Sequence, residues 1–162
     1  MAGSAEATSL PSGSVDLITA AQAFHWFNNA ESQKEFRRIL RPDGLVAVIW
    51  NKRDLRSAFH RDYDNLLKQY ASDYAKVTHL QIKDAEVEAF FAHFEGKEIF
   101  PHHQQMDFEQ LLGRLRSSSY CPDEGSEAYS TLTKAMKALF EKYKQKGFLS
   151  FEYQTCVYLG KM

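Results

Sequence analysis

The chain has 162 residues, enough for one domain with a sizeable hydrophobic core. Hydrophobic residues make up 44% and aromatic residues 14%, which excludes a disordered chain. The formal net charge of −1 argues against a large phosphate-binding surface, so a nucleic-acid partner is not expected.

Other composition features bear on metals and membranes. Cys121 and Cys156 match no metal or redox spacing, and the adjacent His102 and His103 would point to opposite faces of a strand, so no metal site is predicted. No apolar run approaches the ~18 residues of a membrane span. No secretory leader pattern is present. Together these features predict a cytoplasmic protein without a membrane partner.

Two apolar runs near the start of the chain predict buried strands, at residues 15–21 and 45–50. Residues 31–40 between them have helical spacing, and a βαβ unit of this kind has parallel strands. The sequence therefore predicts an α/β sheet. Ligands of such sheets bind beyond the carboxyl ends of the strands, here residues 22–26 and 51–53.

The ends of the intervening helix also carry local signals. Asn28 or Asn29 is predicted to cap its start. Pro42, Asp43 and Gly44 are predicted to end it with a turn.

The remaining chain predicts helices and two more strands. One helical stripe runs from Phe59 to Tyr74, and a shorter one at residues 90–94 follows Asp84 as a helix N-cap. The strand at 97–105 is predicted to be an edge or irregular strand, because Pro101 within it has no N–H to donate.

A capped helix is predicted to begin at Asp107, with Leu111, Leu112 and Leu115 inward. A long helix is predicted over 126–146, ended by Gly147. The final segment alternates, which predicts an antiparallel strand. One face of this strand would hold Leu149, Phe151, Tyr153, Thr155, Val157 and Leu159.

Four stretches in the first fifty residues recur in one enzyme family: residues 5–11 (AEATSLP), 14–18 (SVDLI), 24–27 (FHWF) and 35–44 (EFRRILRPDG). In order and spacing they resemble the type 11 small-molecule group of class I S-adenosyl-L-methionine-dependent methyltransferases. Asp43 stands where that group has the first glycine of a turn. Residues 117–122 (SSSYCP) resemble the group's link after its lid helix.

The resemblance implies an α/β fold: a partial Rossmann-like class I methyltransferase sheet containing the family's strands four to seven, with helices on both faces and a helical lid. The whole of 1–162 would be a partial methyltransferase domain. It would comprise a βαβ core segment (1–56), a helical lid or insert with an irregular strand (57–120), and a long helix with the final antiparallel strand (121–162).

The family's glycine-rich cofactor loop is not found in this sequence, which is expected to begin after the family's third strand. The strand at 15–21 would then present an unpaired edge, and self-association through that edge is expected.

The resemblance implies S-adenosyl-L-methionine as cofactor. Its contacts would come from the loop residues Ala5 and Glu6, facing adenine, and from Gln22, Ala23 and His25 at the end of the strand at 15–21. A disordered terminal loop is the alternative for Ala5 and Glu6. His25 would serve as a base or orient an acceptor carboxylate, and the alternative is a packed residue shaping the cofactor wall. Packing is the interpretation favoured for the following Trp26 and Phe27.

Phe24, Asn51 and Tyr120 are the candidate substrate-binding residues. The alternative for Asn51 is a turn residue, and for Tyr120 a packed tyrosine of the linker. No catalytic residue is assigned, because methyl transfer from an activated sulfonium mainly requires alignment of the reactants and exclusion of water.

Two functions remain open. The first is methyl transfer to a small-molecule acceptor, a carboxylate or hydroxyl, by the parent protein, with this chain inactive alone. The alternative is a non-catalytic truncated fragment or pseudoenzyme that serves as an interaction module.

Overall fold

The computed structural model describes residues 3–74 and 83–162. Its strands and helices follow one another in this order: β1 (Val15–Ala21), α1 (Phe24–Phe27), α2 (Ala30–Ile39), β2 (Leu40–Arg53), α3 (Ala58–Tyr70), α4 (Asp84–Glu88), β3 (His93–Met106), α5 (Phe108–Arg116), α6 (Glu127–Tyr143) and β4 (Leu149–Lys161).

The four strands form one sheet in the order β1-β2-β4-β3. β1 and β2 are parallel, as predicted. β4 meets β2 in the opposite sense: Thr155 bonds to Asn51, whereas the earlier residue Glu152 accepts from the later Asp54. The predicted antiparallel final strand is therefore confirmed, and so is the α/β fold.

The connection from α2 into β2 differs from the prediction. Asn29 caps α2 by accepting from the Ser32 amide at 2.8 Å, and α2 ends at Ile39. The predicted turn at 42–44 lies inside β2, where the pairing with β1 slips from Val15 opposite Leu40 to Leu17 opposite Leu45. The strand absorbs these residues as a bulge.

The Cα positions divide the chain into two compact units. The first unit comprises Met1–Lys52, Gln81–Phe100 and Thr155–Met162, and the second comprises Arg53–Leu80 and Pro101–Gln154. Each unit has its own apolar cluster. The first cluster includes Phe24, Phe36, Val46, Val48, Phe90 and Tyr158. The second includes Tyr63, Leu67, Leu111, Leu132, Met136 and Phe151.

In the second unit, α6 packs against α3 and α5. The predicted inward leucines Leu111, Leu112 and Leu115 of α5 are buried. Asp107 caps α5 in a reciprocal pair with Gln110, as a capping box.

Burial along β4 changes face within the strand. Leu149, Phe151 and Tyr153 are buried in the second unit, as predicted, but Thr155, Val157 and Leu159 are only half-buried. In the first unit the buried residues of β4 are Cys156, Tyr158 and Gly160. The single-faced pattern was wrong because each unit buries a different face of the strand.

The predicted start of α4 and the predicted end of α6 were also wrong. Asp84 is the first residue of α4 rather than its N-cap, which is Lys83. The Asp84 carboxylate accepts instead from Lys52 and Lys97 at 2.6 Å and from Tyr158 at 2.7 Å. These three bonds lower the pKa of Asp84 although burial opposes them.

The long helix α6 ends at Tyr143, before Gly147. Gly147 has φ +87 and lies in the turn closed between Gln145 and Phe148.

Residues 75–82 of the predicted helical insert lie outside the described residues. Among the residues that are described, no helix combines the length and the apolar character needed to cross a membrane.

Candidate functional site

The carboxyl end of β1 carries three of the predicted cofactor residues. Gln22 has φ +55, a left-handed conformation that is uncommon for a residue with a side chain. Its amide donates to the Ile49 carbonyl of β2 at 3.0 Å, which holds this conformation in place. Ala23 follows and precedes the first turn of α1.

Helix α1 follows the end of β1 after two residues. Phe24 is buried, and its ring meets that of Phe90 edge-on at 5.1 Å. His25 is exposed and lies 4.7 Å from the Trp26 ring and 5.8 Å from the Trp50 ring. One turn of helix thus separates an inward phenylalanine from two outward rings.

The packing interpretation of Trp26 was wrong, since its side chain is 70% exposed. Phe27 does pack, with its ring 6.1 Å from that of Phe36.

The N-terminal loop places Ala5 and Glu6 in a tight turn, closed by paired backbone bonds of 3.2 Å between Ser4 and Ala7. The Glu6 carboxylate accepts from Ser32 Oγ at 3.3 Å and from Asn29 Nδ2 at 3.5 Å. Hydrogen bonds, above all one from Ser4, lower the pKa of Glu6. The carboxylate is therefore engaged with the start of α2 and complements its dipole.

A buried carboxylate that sequence reasoning missed holds this loop. Glu35 accepts from the Thr8 amide at 2.8 Å, from the Thr8 hydroxyl at 2.6 Å, and from Arg38 at 2.7 Å. The Arg38 bond, followed by those from Thr8, lowers the pKa of Glu35 to about 2. Glu35 fixes the loop that precedes β1 against α2.

The predicted substrate residues are divided between the two units. Asn51 lies within β2 rather than in a turn, and its Oδ1 accepts from the Thr155 hydroxyl at 2.6 Å. Phe24 and Asn51 belong to the first unit, whereas Tyr120 belongs to the second. There the Tyr120 ring meets that of Tyr74 at 5.0 Å, edge to face.

The second unit holds a charged cluster that the candidate set did not include. Arg53, the last residue of β2, donates to the Tyr74 hydroxyl, which in turn donates to Asp64. Its position at the carboxyl end of a parallel strand was the signal that could have found it.

The described parts of the chain contain no group of three or more His, Cys, Asp or Glu arranged to hold a metal ion. A shallow cavity of about 310 Å³ in the second unit is lined by residues including Ser57, Gln105, Phe148 and Glu152. It contains none of the predicted site residues.

The residues at the β1 end fit S-adenosyl-L-methionine in part. Its sulfonium is a cation that an exposed aromatic face attracts, and Trp26 offers such a face. Gln22 is exposed beside it at the strand end. Glu6 fits less well, because Asn29 and Ser32 already donate to its Oε1.

Comparison with known proteins gives the same picture. Residues 1–48 match the family described as methyltransferase domain. An uncharacterised methyltransferase-like protein of Schizosaccharomyces pombe is 36% identical over 132 residues, covering 78% of this chain and 50% of that protein. An uncharacterised methyltransferase of the same yeast is 54% identical over 52 residues, covering 32% of this chain and 21% of the relative.

The fold comparison extends over nearly the whole chain. A candidate type II methyltransferase from Anaeromyxobacter dehalogenans superposes with a TM-score of 0.66 at 22% identity, covering 97% of this chain and 68% of the other. The chain spans half the length of the first of these yeast relatives. Residues 1–48 are therefore similar to the methyltransferase-domain family, and the chain has the fold of part of a class I S-adenosyl-L-methionine-dependent methyltransferase.

Proposed function

We propose that this chain takes part in S-adenosyl-L-methionine-dependent methyl transfer to a small-molecule acceptor. The observation that carries the proposal is the outward-facing turn of α1 at the carboxyl end of β1, inside the segment that matches the methyltransferase domain. Ligands of parallel α/β sheets bind beyond such strand ends.

Gln22, Ala23 and His25 would hold the cofactor, with Ala5 and Glu6 at the edge of the adenine. When bound, the cofactor supplies an activated methyl group on a sulfonium sulfur. The chain's own residues bind and orient the cofactor and the acceptor, and they exclude water. The exposed His25 and Trp26 rings cover the ligand, and the buried Phe24 anchors their turn in the core.

His25 is the residue of this group with acid–base chemistry near neutral pH. We propose that it orients the acceptor or accepts a proton from it. Phe24, Asn51 and Tyr120 remain proposed acceptor contacts, and a cytoplasmic location remains a prediction from the sequence.

We further propose that the 162-residue polypeptide does not complete methyl transfer by itself. None of its eight glycines form the glycine-rich loop that the family uses to approach the methionine part of the cofactor. Incubation with methyl-labelled S-adenosyl-L-methionine and a panel of small carboxylic acids and alcohols tests this. No label should pass to any acceptor, and transfer above the protein-free rate would refute the claim.

Cofactor binding is tested separately, by calorimetric titration of S-adenosyl-L-methionine into the same polypeptide. Weak but saturable binding is expected, and Trp26→Ala should reduce it. Phe100→Ala is the matched control, because Phe100 is another exposed aromatic of the first unit and lies outside the proposed site.

Binding that is indifferent to Trp26→Ala would overturn the placement of the cofactor. Complete absence of binding would overturn the role of these residues and favour the alternative, a non-catalytic fragment or pseudoenzyme serving as an interaction module.

A further inference from the structure

Arg53 lies in an aromatic setting within the second unit. Its side chain is 20% exposed, and its guanidinium carbon is 5.5 Å from the centre of the Tyr63 ring and 5.6 Å from that of Tyr74. Tyrosine faces attract a guanidinium and hold it in a plane. The arginine is therefore fixed in orientation rather than free to sweep through solvent.

The two ends of this guanidinium differ in their partners. Nη2 donates to the Tyr74 hydroxyl and lies 3.8 Å from Asp64. Nη1 is buried, and no described residue accepts a hydrogen bond from it. A buried N–H without an acceptor is costly, and such groups are rare in folded proteins.

Asp64 does not fully offset the charge of Arg53. Its other oxygen is 2.6 Å from Lys68 Nζ, so one carboxylate is shared between two cations. The hydrogen bonds from Lys68 and Tyr74 help lower its pKa against the effect of burial, which keeps it charged. The trio of Arg53, Lys68 and Asp64 carries a net positive charge.

A second guanidinium belongs to the same surroundings. Arg114 lies 4.5 Å above the Phe151 ring and 5.3 Å above that of Tyr153. Phe151 contacts Tyr63 at 5.6 Å between ring centres. Burial raises the pKa of Tyr63, and the charges of Arg53 and Arg114 act against that rise.

We propose that Arg53 Nη1, flanked by the Tyr63 and Tyr74 rings, binds the carboxylate of a small organic acid. This carboxylate site lies in the second unit and does not rest on the proposed function. A carboxylate suits the site because one guanidinium N–H edge and a modest net charge match one negative group.

Calorimetric titration of the 162-residue polypeptide with succinate tests the site without any methyl donor. Saturable binding is expected, and succinamide, the neutral counterpart, should not bind. Arg53→Gln should weaken succinate binding at least about tenfold, the usual effect of losing a hydrogen bond to a charged group. Arg56→Gln is the matched control, because Arg56 is exposed and paired with Asp54.

A second measurement guards against misfolding of the Arg53→Gln variant. In the wild-type chain, succinate should shift the side-chain nitrogen resonances of Arg53 in NMR spectra and leave those of Arg56 in place. Arg53→Lys, which keeps the charge near Asp64 but loses the planar fork, should bind succinate more weakly than the wild type.

The proposal fails if succinate and succinamide behave alike, if inorganic phosphate binds and succinate does not, or if the Arg53 resonances stay unmoved at saturation. Each of these results would leave the cofactor titration unchanged. Failure of the carboxylate site is thus distinguishable from failure of the methyltransferase function.

Discussion

Gln22 and Lys146 both hold a left-handed backbone, with φ values of 55 and 51, although neither is a glycine. Such a conformation costs a residue with a Cβ about 1–2 kcal/mol. A glycine avoids this cost, but it loses more conformational entropy on folding, which offsets part of the gain. Replacing either residue by glycine should therefore raise the free energy of unfolding by about 0.5–1 kcal/mol in urea denaturation.

The two substitutions should differ in ligand binding. Gln22→Gly should weaken binding of S-adenosyl-L-methionine, because we place the Gln22 side chain at the cofactor. Lys146→Gly lies in a turn of the second unit and should leave this binding unchanged. Equal cofactor affinity in both variants would mean that the strain at Gln22 has no ligand-binding role.

His60 makes the stability of the second unit depend on pH. It is fully buried, and its Nδ1–H donates to the Asp54 carbonyl at 2.9 Å. No described residue forms a hydrogen bond with its Nε2. Burial, with Arg53 nearby, lowers the pKa of the imidazole. Below pH about 6.5 the His60 imidazole is protonated in the unfolded chain but stays neutral in the folded unit. The free energy of unfolding should therefore fall as the pH falls.

Urea denaturation at pH 7.5 and pH 5.5 measures this effect. The wild-type midpoint should drop at the lower pH, and the drop should shrink in His60→Phe. His103→Gln, at an exposed histidine, should keep the full drop. A drop that survives His60→Phe would assign the pH dependence to other groups.

At the residue scale, sequence could predict positions but not partners. The strand-end rule pointed to residues 22–26 and 51–53, and the structure puts exposed rings and Arg53 there. The contacts of Glu35 with Thr8 and of Arg53 with Tyr74 join residues 27 and 21 positions apart. Local patterns carry no information about such pairs, so both networks were missed.

Among the elements, those with strong local signals were predicted well. β1 has its predicted limits, and α5 has its predicted Asp107 cap. α1 was missed because a single turn is too short to show a helical period. The face change of β4 was missed because it depends on which unit covers each half of the strand.

Gly44 lies in the bulge at the start of β2, where there is no room for a larger residue. A Cβ on Gly44 would lie 2.7 Å from Leu40 Cδ2 and 3.0 Å from the Arg41 carbonyl oxygen. Gly44→Ala should lower the free energy of unfolding by about 1–3 kcal/mol through this overlap.

Gly113 provides the matched control, since it is exposed on α5 and a Cβ there meets nothing within 4 Å. Gly113→Ala should instead stabilise the chain by about 0.5–1 kcal/mol, the helix preference of alanine over glycine. Denaturation that ranks the two variants in the opposite order would contradict the described packing of the bulge.

For the whole molecule, the outer position of β1 in the sheet predicts self-association. β1 pairs with β2 on one side and stands at the end of the strand order, and its Leu17 is 53% exposed. Unpaired backbone along such a strand is a template for another chain. The 162-residue polypeptide should therefore form concentration-dependent oligomers in sedimentation velocity.

Leu17→Lys should shift this equilibrium toward monomer, because a charge on an edge strand opposes pairing between chains. Leu55→Lys, at another exposed leucine, is the control and should not shift the equilibrium. A wild-type chain that stays monomeric as its concentration is raised would show that the β1 edge does not associate.

The central claim is that the carboxyl end of β1 binds the cofactor of a methyltransferase. The most direct measurement is a titration of the ¹⁵N-labelled chain with S-adenosylhomocysteine, the demethylated product of the cofactor, observed residue by residue in NMR spectra. We predict saturable shifts at the amides of Gln22, Ala23 and His25 and at the Trp26 indole. An absence of shifts there, or shifts confined to the second unit, would contradict the claim.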